Sequence, residues 1–353
     1  MDLELLGKLS TEIGPSGFED RVRRLIMDSI YNYADEVKID NLGNLIARLG
    51  NGSFRVLISA HMDEVGVMVS HIDQRGFLRI IPIGGLDPWV LLDKELVFMG
   101  KKEDVVGVVG VDPPHLRKEK PPSKFEELYV DAGFTSRDEA IKAGILPGTP
   151  GTFIGVFKQR GPIVVGKAFD NRVGCLVLID VLKNIKNKIS GDLSLYFAWN
   201  TQEEVGLRGI NAVVNYVNPQ LAFVVETTVA ADVPTTSEDL WITRIGGGVA
   251  LRAFDRSMIT HPKLLSIAME LADAKGIRYQ IQVNQYGGTD AGVIHTHGIG
   301  VPTLVLSTPA RYIHNPASLA NIDDIKQVES LLSELLFNID LIRNRLFTGR
   351  DHE

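Results

Sequence analysis

Residues 193–209, LSLYFAWNTQEEVGLRG, constrain the fold more than any other stretch of the chain. Residues 193–198 are a short apolar run of the kind that fills a strand buried on both faces. Glu203 and Glu204 follow it, and Gly206 and Gly209 then turn the chain towards a helix. Adjacent carboxylates just past a strand end repel each other. Water relieves that repulsion, and so does a bound cation. A divalent ion would neutralise one carboxylate and leave the other as a base. For an isolated Glu-Glu pair a solvated loop is the better explanation, so chemistry depends on further ligands elsewhere.

The rest of the chain supplies a setting for this segment. From about residue 164, strand-like and helix-like runs alternate. An amphipathic helix at 172–189 follows Asp170, and after the strand at 193–198 comes a helix at 206–216. A strand at 221–225 ends at Glu226, and a helix at 262–274 precedes a strand at 279–283. A short helix at 290–295, a strand at 301–306 and one long closing helix at 322–345 complete the series. Such alternation predicts an α/β fold, a mixed sheet flanked by helices on both faces. Upstream, residues 1–36 read as helix broken at Gly14-Pro15-Ser16-Gly17, followed by a hairpin over 36–48. A buried strand at 54–60 then runs into His61-Met62-Asp63-Glu64. After Gly66 the pattern changes to short β-like runs with turns at Gly84-Gly85 and Asp87-Pro88. Residues 113–127 are proline-rich, charged and irregular, and 136–143 read as a short helix. A small β-rich domain, PDZ-like or barrel, is therefore expected at 67–155, inserted into a larger domain made of 1–66 and 156–353.

A chain of 353 residues, 44% hydrophobic, can bury a core of this size. Its net charge of -7 and its lack of a long Lys/Arg run argue against nucleic acid or an anionic membrane surface as partner. Cys175 is the single cysteine, and no apolar run is long enough to span a bilayer. The first residues carry no basic-then-apolar leader. Together these features predict a cytoplasmic protein.

In α/β sheets, function gathers at strand ends and in the loops beyond them. His61 and Asp63, Asp170, Glu203 and Glu204, Glu226, and His314 fall in such places. Each has an ordinary explanation by itself: a helix cap for Asp170, a strand-end charge for Glu226, a backbone-satisfied loop residue for His314. Taken together, several independent strands end in the same chemistry. The nitrogen and oxygen donors suit Zn²⁺ or Co²⁺. Two histidines and three carboxylates are too many for one catalytic ion with an open position. They suit two ions sharing a bridging carboxylate, which leaves Glu203 as general base and Asp63 to orient His61.

All of these residues except Glu226 lie within a series of motifs. PSGFE stands at 15–19, DNLGN at 40–44, SAHMDEVG at 59–66 and IGG at 83–85. GKAFDNR follows at 166–172, TQEEVGLRG at 201–209, GGTDAG at 287–292 and PARYIH at 309–314. In order and spacing the set resembles the M42 metallo-aminopeptidases, the TET peptidases of archaea and bacteria, essentially end to end. The resemblance implies a zinc-peptidase-like catalytic domain binding two ions, Zn²⁺ or Co²⁺. It implies His61 and Glu226 on one ion, Glu204 and His314 on the other, Asp170 bridging, and Glu203 as the base. Many members have aspartate where this chain has Glu226, one methylene longer. A cis peptide after Asp170, an insert serving dimerisation and a twelve-subunit tetrahedral particle built from dimers are also implied.

The expected function is a two-metal aminopeptidase acting on peptides. The alternative is a deacylase using the same centre on N-acylated amino acids or peptides. Asp290, at a helix start, is a candidate substrate contact or a plain helix cap. His261 and Arg256 in DRSMITHP are candidates for the pocket rim, whereas His295 and His297 read as a helix end at Gly298.

Overall fold

A computed structural model describes residues 1–113, 115–116, 122–188 and 191–347. Part of the proline-rich stretch and residue 189, the expected end of one helix, lie outside the described residues. The first elements are α1 (Leu3–Thr11), α2 (Asp20–Ile30), the antiparallel pair β1 (Glu36–Ile39) and β2 (Leu45–Leu49), and β3 (Phe54–His61). Asp2 caps α1 by accepting the Leu5 amide at 3.0 Å, satisfying one of the donors a helix start leaves free.

Six strands then close on themselves: β4 (Gly66–Ile72), β5 (Leu78–Ile83), β6 (Glu95–Met99), β7 (Asp104–Val109), β8 (Val130–Asp131) and β9 (Pro150–Phe153). They form a barrel in the order β4-β5-β8-β7-β6-β9, which leaves no long free edge. Val67, Val69, Leu78, Ile80, Phe98, Val109 and Phe153 fill it as a core of its own. A short helix, α3 (Arg137–Ala143), starts at a Ser136 cap and stops at Gly144, whose φ of 93° suits a residue without Cβ.

The chain returns through β10 (Lys158–Arg160) and β11 (Ile163–Gly166) to α4 (Phe169–Ile185). Next come β12 (Leu193–Asn200), α5 (Arg208–Val217), β13 (Leu221–Val229), β14 (Val249–Phe254), α6 (Pro262–Lys275) and β15 (Tyr279–Val283). The last elements are α7 (Ala291–Ile294), β16 (Thr303–Arg311), β17 (Ser318–Asn321), α8 (Ile322–Phe337) and α9 (Ile339–Phe347). Among the described residues, eleven strands make one mixed sheet with the path β1-β2-β12-β3-β13-β16-β17-β11-β10, and β14 and β15 branch from β16. Strands β12, β3, β13 and β16 run parallel, so their carboxyl ends meet at one edge. The larger core lies under α1, α2, α4, α6, α8 and α9, and the opposite face is covered by α5 and α7. No helix among the described residues is long and apolar enough to cross a membrane.

The structure departs from the sequence expectations in three places. Helix α4 is buried on nearly all sides, from Phe169 to Ile185, because it lies between the sheet and the helices α1, α2 and α8. Strand β13 continues past Glu226 to Val229, so Glu226 is an interior strand residue. The expected closing helix is two helices, separated at Asn338. The Asn338 side chain donates to the Glu334 carbonyl at 2.8 Å, offering the backbone a competing partner, and α9 folds against α6.

Candidate active site

The parallel strand ends bring the sequence candidates together. Strand pairing places Asn200 of β12 beside His61 of β3. His61 lies 3.2 Å from Asp170 through Nε2 and 3.6 Å from Glu226. His314, in the loop after β16, lies 3.4 Å from Asp170 and 3.1 Å from Glu204, again through Nε2. The two oxygens of Asp170 divide between them: Oδ1 faces His61 and Oδ2 faces His314.

Each histidine is fixed from behind. His61 turns Nδ1 towards Asp63, 3.4 Å away. His314 sets Nδ1 at 2.8 Å from the Gly85 carbonyl, just past the end of barrel strand β5. The neighbouring Gly84 has a φ of 79°, and a Cβ there would stand 3.2 Å from that of Glu204. Asn171 anchors the longer Glu226 side chain by donating to Oε2 at 2.9 Å and to the Val225 carbonyl at 2.8 Å. The Asp170-Asn171 peptide is cis. Ala168, Gln202, Tyr312 and His314 hold positive φ between 52° and 61° without being glycine. Such strain costs about 1–3 kcal/mol per residue and persists where surroundings over-determine it.

The electrostatics show a site short of positive charge. Asp63, Asp170, Glu203, Glu204, Glu226 and Asp290 surround two imidazoles. Burial pushes Glu203 up, His61 partly offsets this, and Glu204 and Glu226 add to the rise. Burial also raises Glu204 and Glu226, and carries Asp290 up to about 7. Burial opposes the charged form of His61, but the acids around it, Glu226 first, hold it well above the ordinary imidazole value. His314 likewise overcomes burial and rises to about 11 against Asp170 and Glu204. Asp63 keeps its charge despite burial, below the usual carboxylate range, through His61, Ser16 and the Glu203 amide.

The donor set fits divalent cations. Separations of 3.1–3.6 Å between donor atoms match the roughly 3.4 Å edges of a tetrahedron around an ion with ligand distances near 2.1 Å. The donors of His61, Asp170 and Glu204 lie within 4.8 Å of one another, as do those of His61, Glu203 and Glu226. Glu226 Oε1 is buried with no hydrogen-bond partner, and coordination to a cation would satisfy it.

The remaining candidates take other places. Asp290 is buried beneath the cavity; its side chain does not cap α7 but accepts from Asn200 Nδ2 at 2.8 Å. Arg256 is exposed in the turn after β14, and His261 lines a separate hollow with Ile259, His295 and Ile299. Neither lines the cavity that holds His61 and His314. That cavity continues instead past Thr228 and Arg252 to Asn284 and Tyr286. Sequence reasoning missed these residues because Thr228 lies beyond the expected end of its strand, Arg252 lies on β14, which was not expected, and Asn284 and Tyr286 follow β15 outside any motif. Glu64 also went unassigned. It sits in a buried cluster, 2.6 Å from Lys167 and 3.3 Å from Arg172, that ties the barrel entry to both flanks of Asp170.

The chain is similar to known peptidases in sequence and in fold. A family model described as M42 glutamyl aminopeptidase matches residues 43–331. The lysyl aminopeptidase of Pyrococcus furiosus is 34% identical, over 95% of this chain and 98% of its own. A TET aminopeptidase from Thaumarchaeota archaeon SCGC AB-539-E09 superposes with a TM-score of 0.91 at 35% identity, covering 96% of this chain and 97% of that one. The TET1 peptidase of Pyrococcus horikoshii, which can assemble into a tetrahedron or a large octahedral shell, superposes with a TM-score of 0.86 at 33% identity, over 95% and 99% of the two chains.

Proposed function

Because this chain belongs to the M42 family of metal-dependent peptide hydrolases, we propose that it removes N-terminal residues from peptides at a two-metal centre with Glu203 as general base. The observation that carries this reading is Asp170, whose two oxygens each face a different histidine. His61 and Glu226 would hold one Zn²⁺ or Co²⁺, Glu204 and His314 the other, and Asp170 both. Bound there, the ions supply Lewis acidity that acidifies water and polarises a carbonyl.

The protein groups do the rest. Glu203 takes the proton of the attacking water and passes it to the departing amine, a role suited to a carboxyl raised by burial. Asp63 holds the Glu203 and Glu204 amides at 3.0 and 3.1 Å and keeps His61 oriented. The free amine of a peptide N-terminus would bind at the ions and nearby carboxylates, which favours cleavage of the first residue over internal cleavage. An N-acyl group removes that free amine, so the deacylase alternative gains nothing from this site.

Chelation provides the direct test. Dialysis against a strong chelator should remove both ions and reduce hydrolysis of leucine p-nitroanilide by on the order of a hundredfold or more, with recovery on adding Co²⁺ or Zn²⁺. Undiminished turnover in protein shown to be free of metal would refute the two-metal reading. Faster hydrolysis of an N-acetylated substrate than of its free-amine form would instead select the deacylase.

A further proposal concerns assembly. The barrel leaves Trp89 65%, Val106 49% and Ile81 48% exposed, apolar surface that a second subunit could cover. A homo-oligomer built from barrel-mediated dimers, twelve subunits in a tetrahedral particle, is expected from light scattering at micromolar concentration. A monomer under those conditions would contradict it.

A further inference from the structure

We propose that Glu19 and Asn44 are positioning residues that clamp the Glu203–Glu204 loop, so that two adjacent side chains point to two different places. The loop at 201–207 lies between β12 and α5, so the amides just past β12 have no sheet or helix partners. Four successive N–H groups donate to side chains instead. Thr201 N–H donates to Asn44 Oδ1 at 2.8 Å and Gln202 N–H to Glu19 Oε1 at 3.1 Å. Glu203 and Glu204 then donate to the two oxygens of Asp63 at 3.0 and 3.1 Å. The acceptors come from three separate parts of the chain. Gln202 holds a φ of 55°, strained for a residue with a Cβ, and its amide is the one Glu19 takes.

Both residues are built for this task. Glu19 is 2% exposed, and its Oε1 accepts from the Gly17 amide at 2.7 Å and the Gln202 amide. It does not line the cavity, and it reaches the chemistry through the Gln202 backbone and through its charge beside Asp63. Asn44 is fully buried. Its Nδ2 donates to Asp40 at 2.7 Å and to the Gly209 carbonyl at 3.0 Å, which fixes Oδ1 towards Thr201. Gly209 leaves room for the pair; a Cβ there would stand 2.3 Å from the Thr201 carbonyl oxygen and 2.4 Å from Asn44 Oδ1. With the peptide planes fixed, Glu204 turns to His314 at 3.1 Å while Glu203 joins the His61 and Glu226 side. A displacement of about 1 Å in a reacting group can cost on the order of a hundredfold in rate.

This inference rests on the proposed roles of Glu203 and Glu204, and Glu19 variants test it in the full-length protein. Glu19→Gln keeps the reach and the acceptor but removes the charge. Glu19→Asp keeps the charge but loses the reach, and Glu19→Ala loses both. Glu19→Ala and Glu19→Asp are expected to lower kcat by roughly tenfold to a hundredfold with KM changed less than about twofold. They should also speed amide exchange at 201–204 and weaken one of two Co²⁺ ions by about tenfold in calorimetric titration. Glu19→Gln should retain most of both properties. If Glu19→Ala fails to fold, Glu19→Asp decides. The clamp is overturned if folded Glu19→Asp keeps wild-type exchange, kcat and cobalt affinities, or if Glu19→Gln loses as much as Glu19→Asp. Turnover retained in Glu203→Gln would overturn the base assignment alone, because exchange and cobalt binding in the Glu19 variants require no catalysis.

Discussion

Glu203→Gln is expected to lose on the order of a hundredfold or more of kcat while binding two metal ions per subunit. Glutamine keeps the size and polarity of the side chain and removes its ability to take a proton. The measurement must include metal content, because Glu203 shares a 4.8 Å donor cluster with His61 and Glu226. Loss of turnover together with loss of one ion would make Glu203 a ligand. Loss of turnover at full occupancy would make it the base. Near-wild-type turnover at full occupancy would exclude both roles. KM should change little, since the transferred proton matters to the transition state more than to substrate binding.

Asp170→Ala is expected to weaken both ions together by about a hundredfold or more, because the lost oxygens face both histidines. His61→Ala and His314→Ala should each weaken mainly one ion. The contrast in stoichiometry, two ions lost against one, is therefore sharper than any activity measurement. It is readable by mass spectrometry of metal in dialysed protein. Asp170 is also poorly replaced by its own amide. Asparagine offers one carbonyl oxygen where two are needed, so Asp170→Asn should behave nearly like alanine. An Asp170→Ala protein that keeps two tightly held ions would remove the bridge from the mechanism.

The sequence by itself determined the alternation of strands and helices, the β-rich character after Gly66 and the concentration of acids and histidines at strand ends. Those signals are local. A buried strand announces itself over six or eight residues, and a helix over two or three turns. Residues 54–60 and 193–198 were legible for that reason, and so were the histidine and the two glutamates just beyond them. Tertiary structure decided what no local window contains. It made Glu226 an interior residue of β13, because neighbouring β16 keeps pairing beyond it, from Thr308 to Ala310. It broke the closing helix at Asn338, where packing of α9 against α6 outweighs a continuous apolar pattern. It oriented His314 with a carbonyl 229 residues away at Gly85, and it brought Asn44 from the first hairpin and Glu19 from the start of α2 to the loop after β12. Such contacts are hydrogen bonds closed across long loops. Their geometry follows from how the layers stack, and a single polar side chain carries no periodicity that marks its partner in advance.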